Sequence, residues 1–212
     1  MSSRYASPGA RPRRRSSDTR RRVEEAAAEL FRKSGYPATT MQAIADAAGV
    51  HVQTIYLAYG TKASVLAASV TRLVAGEEDP ETHPSERRWV REIQAVEEPR
   101  EKIRLYVEHI LGVSDRLTAM IDVLRSTAPS EPDVAAFLER MELGRREGPL
   151  HLLGGLAAEG RLRPDLTPDA VADTVFALVS PDTIRALMDR CGWSRERTGA
   201  WLTALVTETL LR

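Results

Sequence analysis

Along most of this chain apolar residues recur at the three- and four-residue spacing of helices that turn one side to a core. Val23, Ala27, Leu30 and Phe31 stand at i, i+4, i+7 and i+8 behind a cap at Ser17 or Asp18, and Gly35 followed by Pro37 ends that stretch. Thr40 opens a second, short helix with Met41, Ile44, Ala45 and Ala48 on its inner side and Gly49 as its stop. A third follows at once, carrying Val52, Ile55 and Tyr56 and broken at Tyr59-Gly60, and Thr61 caps a fourth with Leu66, Val70 and Leu73 on one stripe. Two short helices joined by a tight turn containing Gly, the first packed closely through alanines, predict a helix-turn-helix.

Residues 76–88 form a charged, Pro-containing loop, the natural boundary of this part. Beyond it, Pro99 opens a long helix through Ile103, Tyr106, Val107, Ile110, Leu111, Leu117, Met120 and Leu124, ending near Ser126 to Pro129. A second long run starts near Pro132, is expected to kink at Gly148-Pro149, and reaches Gly160. Thr167-Pro168-Asp169 and Ser180-Pro181-Asp182 each combine an N-cap, a proline at the first helical position and an acid in the first turn, and Ser194 caps the last helix. No run alternates apolar and polar residues over strand length, so the fold class is all-α. The expected divisions are a disordered basic arm over 1–17, a helix-turn-helix domain with its connecting fourth helix over 18–76, and a larger helical domain over 77–212.

Charge changes this picture more than composition does. The 212 residues balance at 30 Lys and Arg against 30 Asp and Glu, yet residues 1–76 hold 12 bases against 5 acids and residues 77–212 hold 18 against 25. A net of +7 followed by −7 predicts an N-terminal part that faces a polyanion and a C-terminal part that does not. Arginine outnumbers lysine 27 to 3, a bias spread over the whole chain that genomic base composition explains better than phosphate recognition, so it carries no functional weight. No stretch approaches the roughly 18 apolar residues of a spanning helix and the Arg-rich start lacks the apolar run of a secretory signal, so the expected location is cytoplasmic, away from membrane. One cysteine, Cys191, and four scattered histidines offer no zinc-ligand spacing; no metal or cofactor is expected.

A helix entering the major groove needs side chains near its N-terminus that reach base edges, flanked by donors that hold phosphates. His51, Val52, Gln53 and Thr54 occupy that stretch. Gln53 can pair with adenine through N6 and N7, Thr54 or Val52 can touch a thymine methyl, and His51 can donate to guanine or phosphate. Gln42, at the start of the second helix, is within reach of a phosphate or base edge. The segment from Thr39 to Lys62 (TTMQAIADAAGVHVQTIYLAYGTK) resembles the helix-turn-helix of the TetR family of transcriptional regulators, with the likeness extending over residues 18 to about 76. It rests on Thr40, Ile44-Ala45, Ala48-Gly49-Val50, Ile55-Tyr56, Tyr59 and Lys62 at the family's spacing. The resemblance implies that Thr40 with the N–H groups it caps, Tyr56 and Lys62 hold phosphates. The chain departs from the family at His51, where a small capping residue is usual, and at Val52-Gln53, where a small residue often leads. The Arg-rich arm can enter a minor groove, neutralise phosphates without specificity, or remain a solvated tail.

Two C-terminal helices are apolar on more than one face: Val171, Val175 and Val179 in one, Trp201, Leu202, Leu205, Val206 and Leu210 in the other. That surplus predicts a subunit interface, with intramolecular core as the competing reading. The resemblance implies a homodimer built on these helices, a near-palindromic double-stranded DNA operator, and usually a repressor released by a small-molecule effector in the C-terminal domain. Tyr106, His109, Met120, Phe137, Met141, His151 and Phe176 are the candidate pocket lining, with ordinary core packing as the alternative. A DNA-binding protein with the same headpiece and no small-molecule effector is the second reading. The third, a helical enzyme, is disfavoured because no Gly-rich phosphate loop, nucleophile elbow, paired-His helix or catalytic cluster is written in the chain.

Overall fold

The structure, a computed structural model, describes residues 11–212, with side chains from Ser16 onward. The described chain is helical, its one extended contact being an isolated antiparallel bridge between Leu162 and Leu211. In order, the helices are α1 (Arg11–Ala38), α2 (Met41–Ala48), α3 (Val52–Tyr59), α4 (Lys62–Ala75), α5 (Arg88–Gln94), α6 (Pro99–Thr127), α7 (Pro132–Ala158), α8 (Pro168–Leu178), α9 (Pro181–Arg185) and α10 (Arg195–Leu210). A 3-10 turn at Pro84–Glu86 sits in the linker, and a π-helical turn at Ala186–Arg190 follows α9.

The local signals account for most helix ends. Thr40, Thr61, Thr167, Ser180 and Ser194 each accept a backbone N–H three residues on, at 3.0 to 3.2 Å. At Gly35 the backbone leaves the helix with φ 74°, and Gly49 closes α2 at φ 64°; a side chain at either position would be strained. The basic arm is shorter than expected at its inner end, because α1 begins at Arg11, while residues 1–10 of that assignment lie outside the described residues. The short helix α5 went unpredicted: Trp89, Val90 and Ile93 make too brief an apolar stripe to stand out beside the charged linker. α7 carries Pro149 inside a single unbroken helical assignment.

Two apolar clusters divide the molecule. The first gathers Phe31, Ile44, Ile55 and Leu66 of the headpiece with Leu117, Met120, Ile121 and Leu124 from the second half of α6 and Val134 from α7. The second packs Ile103, Tyr106 and Leu111, from the first half of α6, against Leu153 and Leu156 of α7, Val171, Val175 and Val179, and Leu202, Val206 and Leu210 of α10. Two helices, α6 and α7, therefore serve both cores and tie the body to the headpiece.

Arginine–carboxylate pairs tie the body's helices at their rims. Arg125 grips Asp182 through two contacts of 2.8 Å, Arg185 grips Asp122 at 2.7 and 3.0 Å, and Arg195 reaches Glu108 and Asp115 at 2.6 Å each. These pairs are largely exposed, and each contributes at most about 1 kcal/mol.

Candidate nucleic-acid interface

α3 is pinned from behind and bare in front. Ile55 is fully buried and Val52 packs half-buried on the headpiece core, while His51, Gln53, Thr54, Tyr56, Leu57 and Ala58 are exposed. Leu57 is 82% exposed and Tyr56 50%, an unusual display for a helix of eight residues and the kind of surface that a partner covers. Half of Val52 is taken up by the core, which leaves less of it than of Gln53 or Thr54 to face a partner. His51 takes the N-cap position of α3 without a side-chain capping bond, leaving its imidazole outside.

Thr40 is exposed, its hydroxyl accepting the Ala43 N–H at 3.1 Å, and it stands at the open N-terminus of α2, where the helix dipole favours an anion. Gln42 donates through Nε2 to Asp46 Oδ1 at 2.7 Å, so its amide is held along the surface of α2. Lys62 is committed inward. Its Nζ donates to the carbonyls of Tyr36 at 2.8 Å and Thr39 at 3.0 Å, and it lies 4.1 Å from the centroid of the Tyr36 ring. A phosphate can claim only the third ammonium N–H; the first two clamp the turn between α1 and α2, which Thr39 also holds through a 2.8 Å bond to Gly35 O.

One buried polar network went unread in the sequence. Glu24 of α1 is 7% exposed; its Oε1 accepts the Tyr59 hydroxyl at 3.1 Å and its Oε2 accepts Arg72 Nε–H at 2.8 Å. Three helices meet there, because Tyr59 ends α3 and Arg72 lies in the last turn of α4. Burial, with the Glu24 charge beside it, pushes the Tyr59 phenol well above its ordinary range and keeps it a donor at any physiological pH. An acid one residue after Val23 and three before Ala27, on the rim of an apolar stripe, was the available signal.

The other two candidate sets scatter. Val171, Val175, Val179, Leu202, Val206 and Leu210 are buried within a single chain, in the body's own core, so they are corrected from interface to core. Only Trp201, 40% exposed, and Leu205, partly exposed, remain outside. Of the pocket candidates, Met120, Phe137 and Met141 belong to the headpiece cluster and Tyr106 is buried in the body core, with burial raising its phenol. His151 is exposed. His109 lies under Trp89, and Phe176 lines a cleft of about 520 Å³ with Arg145, whose guanidinium lies 3.6 Å from the Phe176 ring centroid. These seven residues do not surround one space.

Among the described residues no helix is long and apolar enough to cross a membrane. No curated protein matches the chain. Residues 25–69 match the family model described as bacterial regulatory proteins, tetR family. NalD of Pseudomonas aeruginosa, the secondary repressor of the MexAB-OprM multidrug efflux pump, is similar at 20% identity and a TM-score of 0.66 over 93% of this chain and 98% of its own. FadR of Bacillus subtilis, a transcriptional regulator solved with stearoyl-CoA, gives 16% identity and a TM-score of 0.71 over 89% and 98%. A protein of Saccharomonospora viridis solved in complex with choline gives 20% identity and a TM-score of 0.70 over 92% and 99%. The chain carries the helix-turn-helix headpiece of the tetR family of bacterial regulatory proteins and has the fold of TetR-family transcriptional regulators.

Proposed function

We propose that this protein is a sequence-specific DNA-binding regulator of transcription that acts as a homodimer, with α3 as its recognition helix. The observation that carries this reading is the bare outer face of α3, where Gln53, Thr54 and His51 stand exposed on a helix fixed by Ile55. Gln53 reads a base edge, and Thr40, the α2 N-terminus and Tyr56 hold phosphates. The +7 charge of residues 1–76 supplies the non-specific attraction. In a twofold dimer the recognition helices meet half-sites about one helical turn, roughly 34 Å, apart, so the operator is a near-palindrome.

The body provides the subunit contact through the outward side of α10, with Trp201 and Leu205 at its centre. Trp193 meets Trp201 edge-on at 5.6 Å between centroids, extending an apolar surface there. Regulation follows the repressor pattern: a small molecule bound in the body favours a state of α4 and α6 that releases the operator, acting only through its differential affinity for the two states. NalD is named as a repressor, and regulators of this fold have been solved with choline and with stearoyl-CoA, which supports the reading.

Selection of bound duplexes from a random pool at a stated salt concentration tests the proposal. The expected outcome is a near-palindrome bound by dimer, with Gln53→Ala costing about 1–3 kcal/mol at a single base position per half-site. Recovery of no enriched sequence, with only salt-sensitive retention, would overturn it.

A further inference from the structure

On α3 the residue that points most directly away from the headpiece core is apolar. Val52, Ile55 and Tyr59 are the side chains by which α3 packs inward. At 3.6 residues per turn, Leu57 falls roughly 170° around the helix from their mean direction, and Gln53 and Thr54 lie roughly 130° from it on either side. Leu57 is 82% exposed, the most of the four large apolar side chains left outside among the described residues, and it belongs to neither core cluster. A leucine held in water between two polar neighbours gains free energy only when an apolar group covers it.

Its surroundings choose the partner. Gln53 and Thr54 are exposed and their side chains make no hydrogen bond among the described residues, whereas Gln42 of α2 is held by Asp46. Residues 1–76 carry a net charge of +7, which suits a polyanion. The core of a protein–protein interface would ring a central leucine with further apolar side chains, but here free polar groups flank it on both sides. Duplex DNA fits both the charge and the free amide and hydroxyl. Its phosphates and most of its base edges ask for hydrogen bonds that a leucine cannot make. The apolar feature that base edges present in the major groove is the C5-methyl group of thymine.

We propose that Leu57 is a specificity-determining residue that reads the C5-methyl group of one thymine in each half-site. It lies one turn beyond Gln53, about 6 Å along the helix, so its thymine falls within about two base steps of the base that Gln53 meets. The assignment rests on the DNA-binding reading with α3 as recognition helix, and it divides the labour on that face. Gln53 selects by hydrogen bonds, and Leu57 selects by covering a methyl group that cytosine lacks. Preference at the second position therefore follows the methyl group and not the hydrogen-bonding edge of the base.

Equilibrium binding of the full chain to the operator recovered by selection, with each thymine replaced in turn by uracil, tests this assignment. The exchange removes the methyl group and leaves every base-edge donor and acceptor in place. At one thymine per half-site uracil is expected to weaken binding about fourfold, the worth of one covered methyl group. In Leu57→Ala binding to the parental operator falls and the uracil penalty at that position vanishes, whereas Leu57→Met keeps it. At the same position 5-methylcytosine is expected to bind better than cytosine. The thermal midpoint of Leu57→Ala should match that of the parent, because the side chain packs in no core, so its effect on binding is not a loss of fold. Three results overturn the assignment and leave the DNA-binding reading standing: a scan with no uracil penalty, a penalty undiminished in Leu57→Ala, or an equal loss by Leu57→Ala on every duplex, random sequence included. Recovery of no enriched duplex overturns the DNA-binding reading and the assignment with it.

Discussion

The headpiece and the body are built from the same helical material, yet they handle polar groups in opposite ways. In the headpiece the buried acid Glu24 is answered on both oxygens, by Tyr59 and Arg72, and Lys62 closes the α1–α2 turn on two carbonyls. The body places most of its ion pairs on exposed rims and leaves Arg87, Trp89 and Thr127 with buried polar atoms unanswered among the described residues. A satisfied interior network fixes one arrangement, which suits the DNA contact proposed for Gln53 and Thr54. An unanswered polar atom inside the body costs free energy that a headpiece network of this kind avoids.

Three perturbations break or sharpen this contrast. The largest effect is expected from Glu24→Ala, which strips Arg72 and Tyr59 of their shared acceptor inside the headpiece; urea unfolding should show a loss of about 3 kcal/mol, with Glu24→Gln recovering part of it. A loss no greater than that of a surface pair would mean that the network does not organise the headpiece.

Next is the body's His109. Burial holds its pKa in the folded chain at about 4, below its ordinary 6.5, so the unfolded state binds more protons between those values. Its contribution to stability is complete above about pH 6.5 and disappears as pH falls toward 4, by at most about 3 kcal/mol. Thermal midpoints across that range should flatten in His109→Phe, and an unchanged slope would place the titration elsewhere. The smallest effect is expected from Arg125→Ala, which removes an exposed bidentate pair with Asp182 and should cost less than about 1 kcal/mol in the same urea assay. A cost equal to that of Glu24→Ala would erase the distinction between answered interior and decorative rim.

How legible each region was follows from the range of the interactions that build it. Helix starts at Thr40, Thr61, Thr167, Ser180 and Ser194 were readable because a cap bonds three residues along its own chain. The inner side of α2 was readable for the same reason: Met41, Ile44, Ala45 and Ala48 follow the helical period, and all four are buried. On α3 the apolar set Val52, Ile55 and Tyr56 left Gln53 and Thr54 outside, but periodicity did not separate buried Ile55 from half-exposed Tyr56. By contrast, surplus apolar faces on α8 and α10 were open to two readings, and only packing against α6 and α7 turned Val171, Val175, Leu202 and Val206 into core.

The chain's local pattern therefore determined that the described residues are helical, where most helices begin and stop, and that a helix-turn-helix leaves His51, Gln53 and Thr54 outside its core. Tertiary structure alone decided that Lys62 reaches back 26 residues to Tyr36 and that Arg72 meets Glu24 across 48. It also decided that α6 and α7 join both cores and that the Arg87 Nε–H is enclosed without an acceptor among the described residues. Capping and periodicity act over three or four residues and so are written in order along the chain. Which faces meet, and which charges are left unmatched when they do, depends on segments brought together only by the packing of the whole.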